Sequence, residues 1–174
     1  MTLTERIFEL LDMRSFSNLW YWLFLSVFWS GTSYYTLGVP AELLRRARPG
    51  GGQALEDAEV LARLHTRRLL HMVRRGGVAL VAFGCFVLTG LFVMAAGYGV
   101  EFAQALLCLF APLSLVMVLS LRTARFIEAG DDSGGALLRR LRRHRLTVQA
   151  IGMVSIFVTA LFGMYQNLTI GVLG

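Results

Sequence analysis

The stretch "ALLRRLRRHRLTVQAIG", residues 136–152, passes from strongly basic to apolar within a few positions. Six of the seven residues from 139 to 145 are arginine or histidine, and an apolar run follows from residue 147. Such a junction is typical of a nucleic-acid-binding arm, of a calmodulin-like target or of the cytoplasmic end of a membrane helix. The rest of the sequence distinguishes these three interpretations.

Four long apolar runs dominate that remainder. The chain has 174 residues, of which 56% are hydrophobic and 16% charged, whereas soluble domains are about half apolar and about one quarter charged. The runs cover residues 18–39, 78–98, 102–121 and 147–168. Each reaches the roughly 20 residues with which a helix crosses a hydrocarbon core about 30 Å thick. The sequence therefore predicts an all-α integral membrane protein, a single membrane domain over residues 1–174 with four transmembrane helices.

The placement of arginine predicts the orientation of these helices. All 17 basic residues are arginines; eight fall within residues 41–77 and seven within 122–146, while residues 98–101 contain none. Basic residues are retained on the cytoplasmic side of a bacterial inner membrane. We therefore expect a multi-pass inner-membrane protein with cytoplasmic loops at 41–77 and 122–146. Its N-terminus and C-terminus are both expected in the periplasm.

The same arginines identify the opening stretch as the cytoplasmic end of the fourth helix. No aromatic residue lies between positions 136 and 146 to stack on bases, so nucleic-acid binding is not expected. Anionic lipid headgroups and acidic protein surfaces are the expected contacts. The candidate contact residues in this segment are Arg139, Arg140, Arg142 and Arg143.

Two further helices are predicted outside the apolar runs. Thr2 and Glu5 have the spacing of a capping box, and the apolar residues that follow share one face. This pattern predicts a short amphipathic helix over residues 3–13 at the outer surface. The second is a cytosolic helix over residues 54–75, between the first and second spans, with acids at its start and arginines at its end.

The cytosolic helix carries an apolar stripe that includes Leu61, a candidate partner contact. Glu59 and Arg63 are spaced as an i,i+4 ion pair, and an interruption is expected at Gly76 and Gly77. The stripe can rest on the bilayer, on the second cytoplasmic loop or on a partner protein. Its predicted members are Ala54, Ala58, Leu61, Leu64, Leu69, Met72 and Val73.

Small side chains form a ridge in the fourth run, where Ser155, Thr159 and Gly163 recur at four-residue spacing. Small residues let a second helix approach closely. The ridge therefore predicts either packing within the chain or contact with another integral membrane protein, including a second copy.

In the short connection between the second and third apolar runs, Glu101 is expected to cap a helix start. A partner-binding or proton-accepting site with Gln104 is the alternative.

The residues that usually carry chemistry are scattered. Cys85 and Cys108 lie in separate apolar runs without metal-ligand spacing, and His65, His71 and His144 all lie outside the runs. No phosphate loop, HExxH sequence or nucleophile elbow occurs. No ionisable residue lies at mid-depth of a run, which disfavours ion or proton transport. We therefore expect a protein that is not an enzyme and that binds no cofactor and no metal.

Several stretches resemble a known family. "DMRSFSNLWYWL" (12–23), "GYGVEFAQA" (97–105), "LSLRTARFI" (119–127) and "HRLTVQAIGMVSIFVTALFGMYQN" (144–167) are similar to small alphaproteobacterial membrane proteins commonly labelled "component of SufBCD complex". The resemblance covers nearly the whole chain. It implies a membrane protein associated with the iron–sulfur cluster assembly machinery, and it assigns no site residues.

Together these features predict a non-catalytic accessory, scaffold or assembly subunit of a larger inner-membrane complex. Its contacts would be helix packing and the arginine-rich cytoplasmic loops, with other integral membrane proteins and anionic lipid headgroups as partners. The alternatives are a small oligomeric transporter or channel with a path of Ser, Thr and Gln side chains, and an enzyme acting on lipid at an interface.

Overall fold

The computed structural model describes residues 19–47, 51–130 and 133–172, and these are mostly helical. The predicted surface helix over residues 3–13 lies outside them. The elements, in chain order, are α1 (Leu19–Tyr34), β1 (Tyr35–Thr36), β2 (Val39–Pro40), α2 (Ala41–Arg46), α3 (Gln53–Gly97), α4 (Glu101–Glu128) and α5 (Gly134–Val172).

Three helices, α3, α4 and α5, are long and apolar enough to cross a membrane, which is consistent with a membrane protein. They contain the apolar runs 78–98, 102–121 and 147–168. With 45, 28 and 39 residues they are longer than a span requires. Their excess length lies at the arginine-rich end of the bundle.

The first apolar run forms α1, which is shorter than predicted. Its 16 described residues rise about 24 Å, and the helix ends at Tyr34 rather than at residue 39. A small antiparallel hairpin follows, in which Tyr35 pairs with Pro40. The turn residues Leu37 and Gly38 have φ values of 47° and 75°, as in the two-residue turns with positive φ at both positions. The sequence prediction missed this turn because its flanks are apolar.

Gly38 is also a point of close approach. A Cβ atom at this position would overlap the imidazole ring of His65 in α3. The positive φ and the missing side chain together let the hairpin lie directly on α3, which brings α2 beside the start of that helix.

The helices pack in the order α3, α4, α5, α1, each against the next. Tyr21 of α1 also donates a hydrogen bond to the carbonyl oxygen of Ala105 in α4, at 3.2 Å. A core within the apolar part of the bundle joins α1, α4 and α5. Its buried members are Leu25, Trp29, Leu109, Val116 and Val148.

α3 is broken near its middle. Gly76 has φ −129° and ψ 15°, outside the helical region, so the interruption expected at Gly76 and Gly77 is confirmed at the first of them. The break divides α3 into a half within the arginine-rich end and an apolar half. Pro112, by contrast, lies inside α4 without ending it.

Candidate functional site: the arginine platform

The arginine-rich end of the bundle is a folded unit with its own hydrophobic core. It consists of residues 39–47, which include α2, residues 53–75 of α3, residues 122–128 of α4 and residues 134–146 of α5, and we call it the arginine platform. Its buried core residues are Val39, Leu44, Ala47, Leu55, Ala58, Ala62, Ile127, Leu137, Leu138 and Leu141.

The apolar stripe predicted for α3 is confirmed in part: Ala58 is buried, and Ala54 and Leu61 are partly buried against the platform core. The residues of this half that the structure buries are Leu55, Ala58, Ala62, Thr66 and Leu70, of which the prediction included only Ala58. Two predicted members, Leu64 and Met72, are 59% and 51% exposed. The segment has apolar residues on more than one face, and the buried face shares its core with residues of α2, α4 and α5. The bilayer, the second cytoplasmic loop and a partner protein were the three surfaces against which the stripe could pack. In the structure it packs against the second of them, residues 122–146.

Leu61, the candidate partner contact, is partly buried against the platform core. The exposed apolar residues on this half of α3 include its neighbours Val60 and Leu64, one helical turn apart. Arg67 and Arg68 follow on the same side and are exposed. These four residues form a surface that we call the outward strip of α3. Val60 and Leu64 are its apolar centre, and Arg67 and Arg68 are its basic edge.

Hydrogen bonds of two charged side chains, Glu59 and Arg142, hold the platform segments together. One oxygen of Glu59 accepts a hydrogen bond from the backbone N–H of Gly134 at 2.7 Å. Its other oxygen pairs with Arg63 at 3.3 Å, which confirms the predicted i,i+4 pair. Because Gly134 begins α5, the carboxylate lies at the positive end of that helix, where its charge is favoured.

Arg142 makes the second of these contacts. One of its terminal nitrogens, Nη2, donates to the carbonyl oxygens of Leu44 and Ala47, at 3.1 Å each. These carbonyls lie at the end of α2, where backbone acceptors have no partner within the helix. A cation there also interacts favourably with the helix dipole. The structure therefore shows Arg142 in a contact within the chain, and its contact with a partner stays a prediction.

Ion pairs between exposed groups add to the platform surface. Arg74 of α3 pairs with Glu128 of α4 at 2.7 Å. In α2, hydrogen bonds from Arg46 and, more weakly, from Arg45 hold the pKa of the exposed Glu42 carboxyl below its ordinary value. Exposed pairs of this kind contribute little to stability, so they orient side chains rather than hold the fold.

His144 is buried between α5 and α4. Its Nε2 lies 3.1 Å from Ser120 Oγ and its Nδ1 lies 3.2 Å from Thr123 Oγ1. Both hydroxyls donate to backbone carbonyl oxygens of α4, Ser120 to Val116 at 2.8 Å and Thr123 to Leu119 at 2.9 Å, so the ring nitrogen that carries a hydrogen donates to one of them. Burial lowers the pKa of His144 below the ordinary 6.5, so this ring is uncharged at neutral pH among a group of arginines.

We expect the thermal stability of the protein in detergent to fall as the pH decreases below about 6.5. The unfolded chain takes up a proton on His144 at its ordinary pKa, whereas the folded chain resists protonation until a lower pH, so acid favours unfolding. Melting temperatures between pH 8 and pH 5.5 measure the slope. His144→Asn should flatten it, and His71→Asn, which changes an exposed histidine, should not. Equal slopes in all three proteins would contradict this assignment.

A basic pocket of about 200 Å³ lies beside His144, between α4 and α5. Arg122 of α4 and Arg140 and Arg143 of α5 line it, together with Phe126. The guanidinium carbon of Arg140 lies 4.5 Å from the centroid of the Phe126 ring, in a cation–π arrangement. Of the predicted contact arginines, this pocket brings together Arg140 and Arg143, while Arg139 is exposed elsewhere on α5.

An apolar groove of about 520 Å³ continues along the same two helices. Leu107, Ala111 and Leu115 of α4 line one wall, and Ile151 and Val158 of α5 are in the other. The two predicted ridge residues Ser155 and Thr159 are at its floor and are buried.

The ridge of Ser155, Thr159 and Gly163 is buried within the described chain. Ser155 Oγ donates to the carbonyl oxygen of Cys108 at 3.4 Å, and Thr159 Oγ1 donates to that of Ser155 at 2.7 Å. Ser155 thus contacts α4, and the burial of all three residues within the chain favours the intramolecular alternative.

A second groove, of about 470 Å³, separates α1 from α5 and is more polar. Its lining includes Ser26, Ser30, Ser33 and Gln149. Trp29, which is almost fully buried, also lines the groove, and its indole Nε1 has no hydrogen-bond partner among the described residues.

At the opposite end of the bundle, Gln104 connects three helices. Its amide nitrogen donates to the carbonyl oxygen of Ala95 in α3 at 3.1 Å, and its amide oxygen accepts from Gln166 of α5 in a short hydrogen bond. Glu101 is the first residue of α4, one position after the cap residue Val100. It therefore lies in the first turn, where unpaired backbone N–H groups favour a carboxylate.

Within residues 19–47, 51–130 and 133–172, no group of three or more His, Cys, Asp or Glu side chains is arranged to hold a metal ion. The sequence does not predict the environment of His144, or that Arg122 and Arg143 line one pocket. Both depend on the register between α4 and α5, and no spacing in the sequence encodes that register. Comparison with models of protein families, with curated proteins and with solved structures found no match for this chain.

Proposed function

We propose that this chain is a non-catalytic accessory, scaffold or assembly subunit of a larger complex in a bacterial inner membrane. The observation that carries the proposal is the arginine platform. It is a small folded unit with a closed hydrophobic core, attached to apolar helices and presenting arginines and an exposed apolar strip outward. Such a surface suits contact with an acidic protein surface or with anionic lipid headgroups.

In this proposal the chain crosses the membrane four times, with α1 as the first span and the platform in the cytoplasm. Fifteen of the 17 arginines lie in the segments 41–77 and 122–146. Retention of basic residues on the cytoplasmic side supports this orientation. Both termini then lie in the periplasm.

The orientation predicts how a single cysteine will react. In a background with Cys85 and Cys108 replaced by serine, we expect Glu56→Cys, at an exposed platform position, to resist a membrane-impermeant maleimide in intact cells with a permeabilised outer membrane. It should be labelled after the inner membrane is broken. Gly174→Cys serves as the opposite control and should be labelled in both cases. Labelling of Glu56→Cys in intact cells would overturn the orientation.

The subunit role predicts a co-purifying complex. Purification of the tagged protein from its native membrane in mild detergent, followed by mass spectrometry, should yield stoichiometric partners. The family resemblance makes iron–sulfur cluster assembly proteins the first candidates to look for. A homo-oligomer without other proteins would contradict the proposal.

We expect the outward strip of α3 to contribute to that complex. Val60→Asn with Leu64→Asn removes its apolar centre, and partner recovery should fall at least tenfold while the melting temperature stays within about 2 °C, since both residues are exposed. Met72→Gln changes another exposed apolar residue of the same helix and is the matched control. An equal loss in the control would assign the effect to general surface hydrophobicity.

The polar groove between α1 and α5 supports a second candidate, a small oligomeric transporter or channel. Its serines, Gln149 and the unpartnered indole N–H of Trp29 are the kind of side chains such a path requires. Solute flux into liposomes that contain only this protein would favour it. That flux should then be lost with Ser30→Leu and Gln149→Leu, while a purified protein without flux favours the subunit role.

A further inference from the structure

The basic pocket and the apolar groove lie on one continuous seam between α4 and α5. Along α4, the lining residues of the two cavities recur every three or four positions, which places them on a single helix face. Along α5 the lining residues recur in the same way. The residues on this face of α4 are Leu107, Ala111, Leu115, Leu119, Arg122 and Phe126.

The dimensions of the seam suit half of a bilayer. Arg122 lies 11 positions after Ala111, which corresponds to about 16 Å along a helix. The hydrocarbon core of a bilayer is about 30 Å thick, so this is about the depth of one leaflet. An amphiphile whose charged group lies at Arg122 would therefore place its chain along the apolar groove.

The chemistry of the pocket selects the charge of that amphiphile. Three arginines line it, and no carboxylate is among the described residues that line it. Guanidinium groups bind phosphate oxygens with two parallel hydrogen bonds. Phe126 fixes the plane of Arg140 through the ring contact, and the hydroxyls of Thr123 and Thr147 add polar groups to the lining.

The geometry points to a binding site for an anionic glycerophospholipid of the cytoplasmic leaflet. Its phosphate lies between Arg122 and Arg143, and one acyl chain lies in the groove between α4 and α5. This assignment rests on the proposed function only for the leaflet, because it requires the arginine platform to face the cytoplasm.

Binding is tested on the full-length purified protein by titration in nanodiscs of phosphatidylcholine with increasing phosphatidylglycerol, with melting temperature as the readout. We expect phosphatidylglycerol to raise the melting temperature of the wild-type protein. Arg122→Gln with Arg143→Gln should shift the half-saturating fraction of phosphatidylglycerol at least tenfold. Arg67→Gln with Arg68→Gln removes the same charge from an exposed part of the platform and should shift it less than twofold. An equal shift in both double variants would overturn the site.

A second variant separates the lipid chain from its headgroup. Ala111→Phe fills the groove without changing the charge and should weaken the phosphatidylglycerol effect at least fivefold. If it has no effect and soluble glycerol phosphate competes at millimolar concentration, the pocket binds a phosphate group alone and the lipid assignment is wrong. Partner recovery by Arg122→Gln with Arg143→Gln from native membranes tests the subunit role independently. Lost lipid binding with intact partner recovery leaves the proposed function standing.

Discussion

Replacement of Leu141 by alanine should lower the free energy of unfolding by about 2–5 kcal/mol. Leu141 is completely buried in the arginine platform, where it packs with residues from α2, α3 and α4. The substitution removes apolar contacts and leaves a cavity that the surrounding helices fill only in part. For a chain of this length the loss corresponds to roughly 4–20 °C in melting temperature.

Leu146 provides a matched control for that substitution. It is the same residue type on the same helix, five positions later, and is 66% exposed. Leu146→Ala should change the melting temperature in detergent by no more than about 2 °C. If the two variants melt alike, the platform has no closed core, and the partner surface proposed for it loses its scaffold.

A comparable loss of stability is expected from Gly152→Leu, which should separate α1 from α5. A Cβ atom at Gly152 would lie 2.9 Å from the indole ring of Trp29, closer than real Cβ atoms approach other atoms. Trp29 is 4% exposed and lies within the core that joins α1, α4 and α5. The added side chain must displace this ring or open the helix crossing, at a cost of about 1–3 kcal/mol or more.

Gly90→Leu is the control for this second substitution. Gly90 lies in the apolar half of α3, and nothing approaches within 4 Å of the position of its Cβ. A leucine there should leave the melting temperature unchanged or raise it slightly, because leucine favours the helix more than glycine does. Equal melting of both variants would show that the contact between Trp29 and Gly152 does not determine how α1 packs.

The apolar runs predicted the three long helices because length and composition alone decide whether a helix can cross a membrane. The same rule failed at the end of α1. Tyr35 to Val39 are compatible with a membrane helix by hydropathy, but Leu37 and Gly38 form a turn. That turn depends on the hairpin lying on His65 of α3, a contact between distant parts of the chain.

The structure of the arginine platform, too, could be predicted from the sequence only in part. Its helix over residues 54–75, the pair Glu59–Arg63 and the break at Gly76 follow from local spacing, and the sequence predicted them. The short helix α2 and the helical parts of residues 122–146 were not predicted. The buried face of α3 was predicted only in part, because leucine and alanine occur on two faces of this segment, and the packing of α2, α4 and α5 around it decides between those faces. For the same reason, no sequence pattern predicts that His144 lies beside Ser120 and Thr123. Nor does one predict that Arg122 and Arg143 line the same pocket.

The break at Gly76 has a further consequence for how the protein fits its bilayer. A continuous α3 would transmit every change in tilt of its apolar half to the platform. At Gly76 the backbone has already left the helical region, and no atom of the described residues outside its own helix turn lies within 4 Å of the position of its Cβ. The angle between the two halves can therefore change without a steric clash at this residue. In a thinner or thicker membrane, the apolar half of α3 would match the hydrocarbon thickness by tilting, while the leucine core of the platform stays intact.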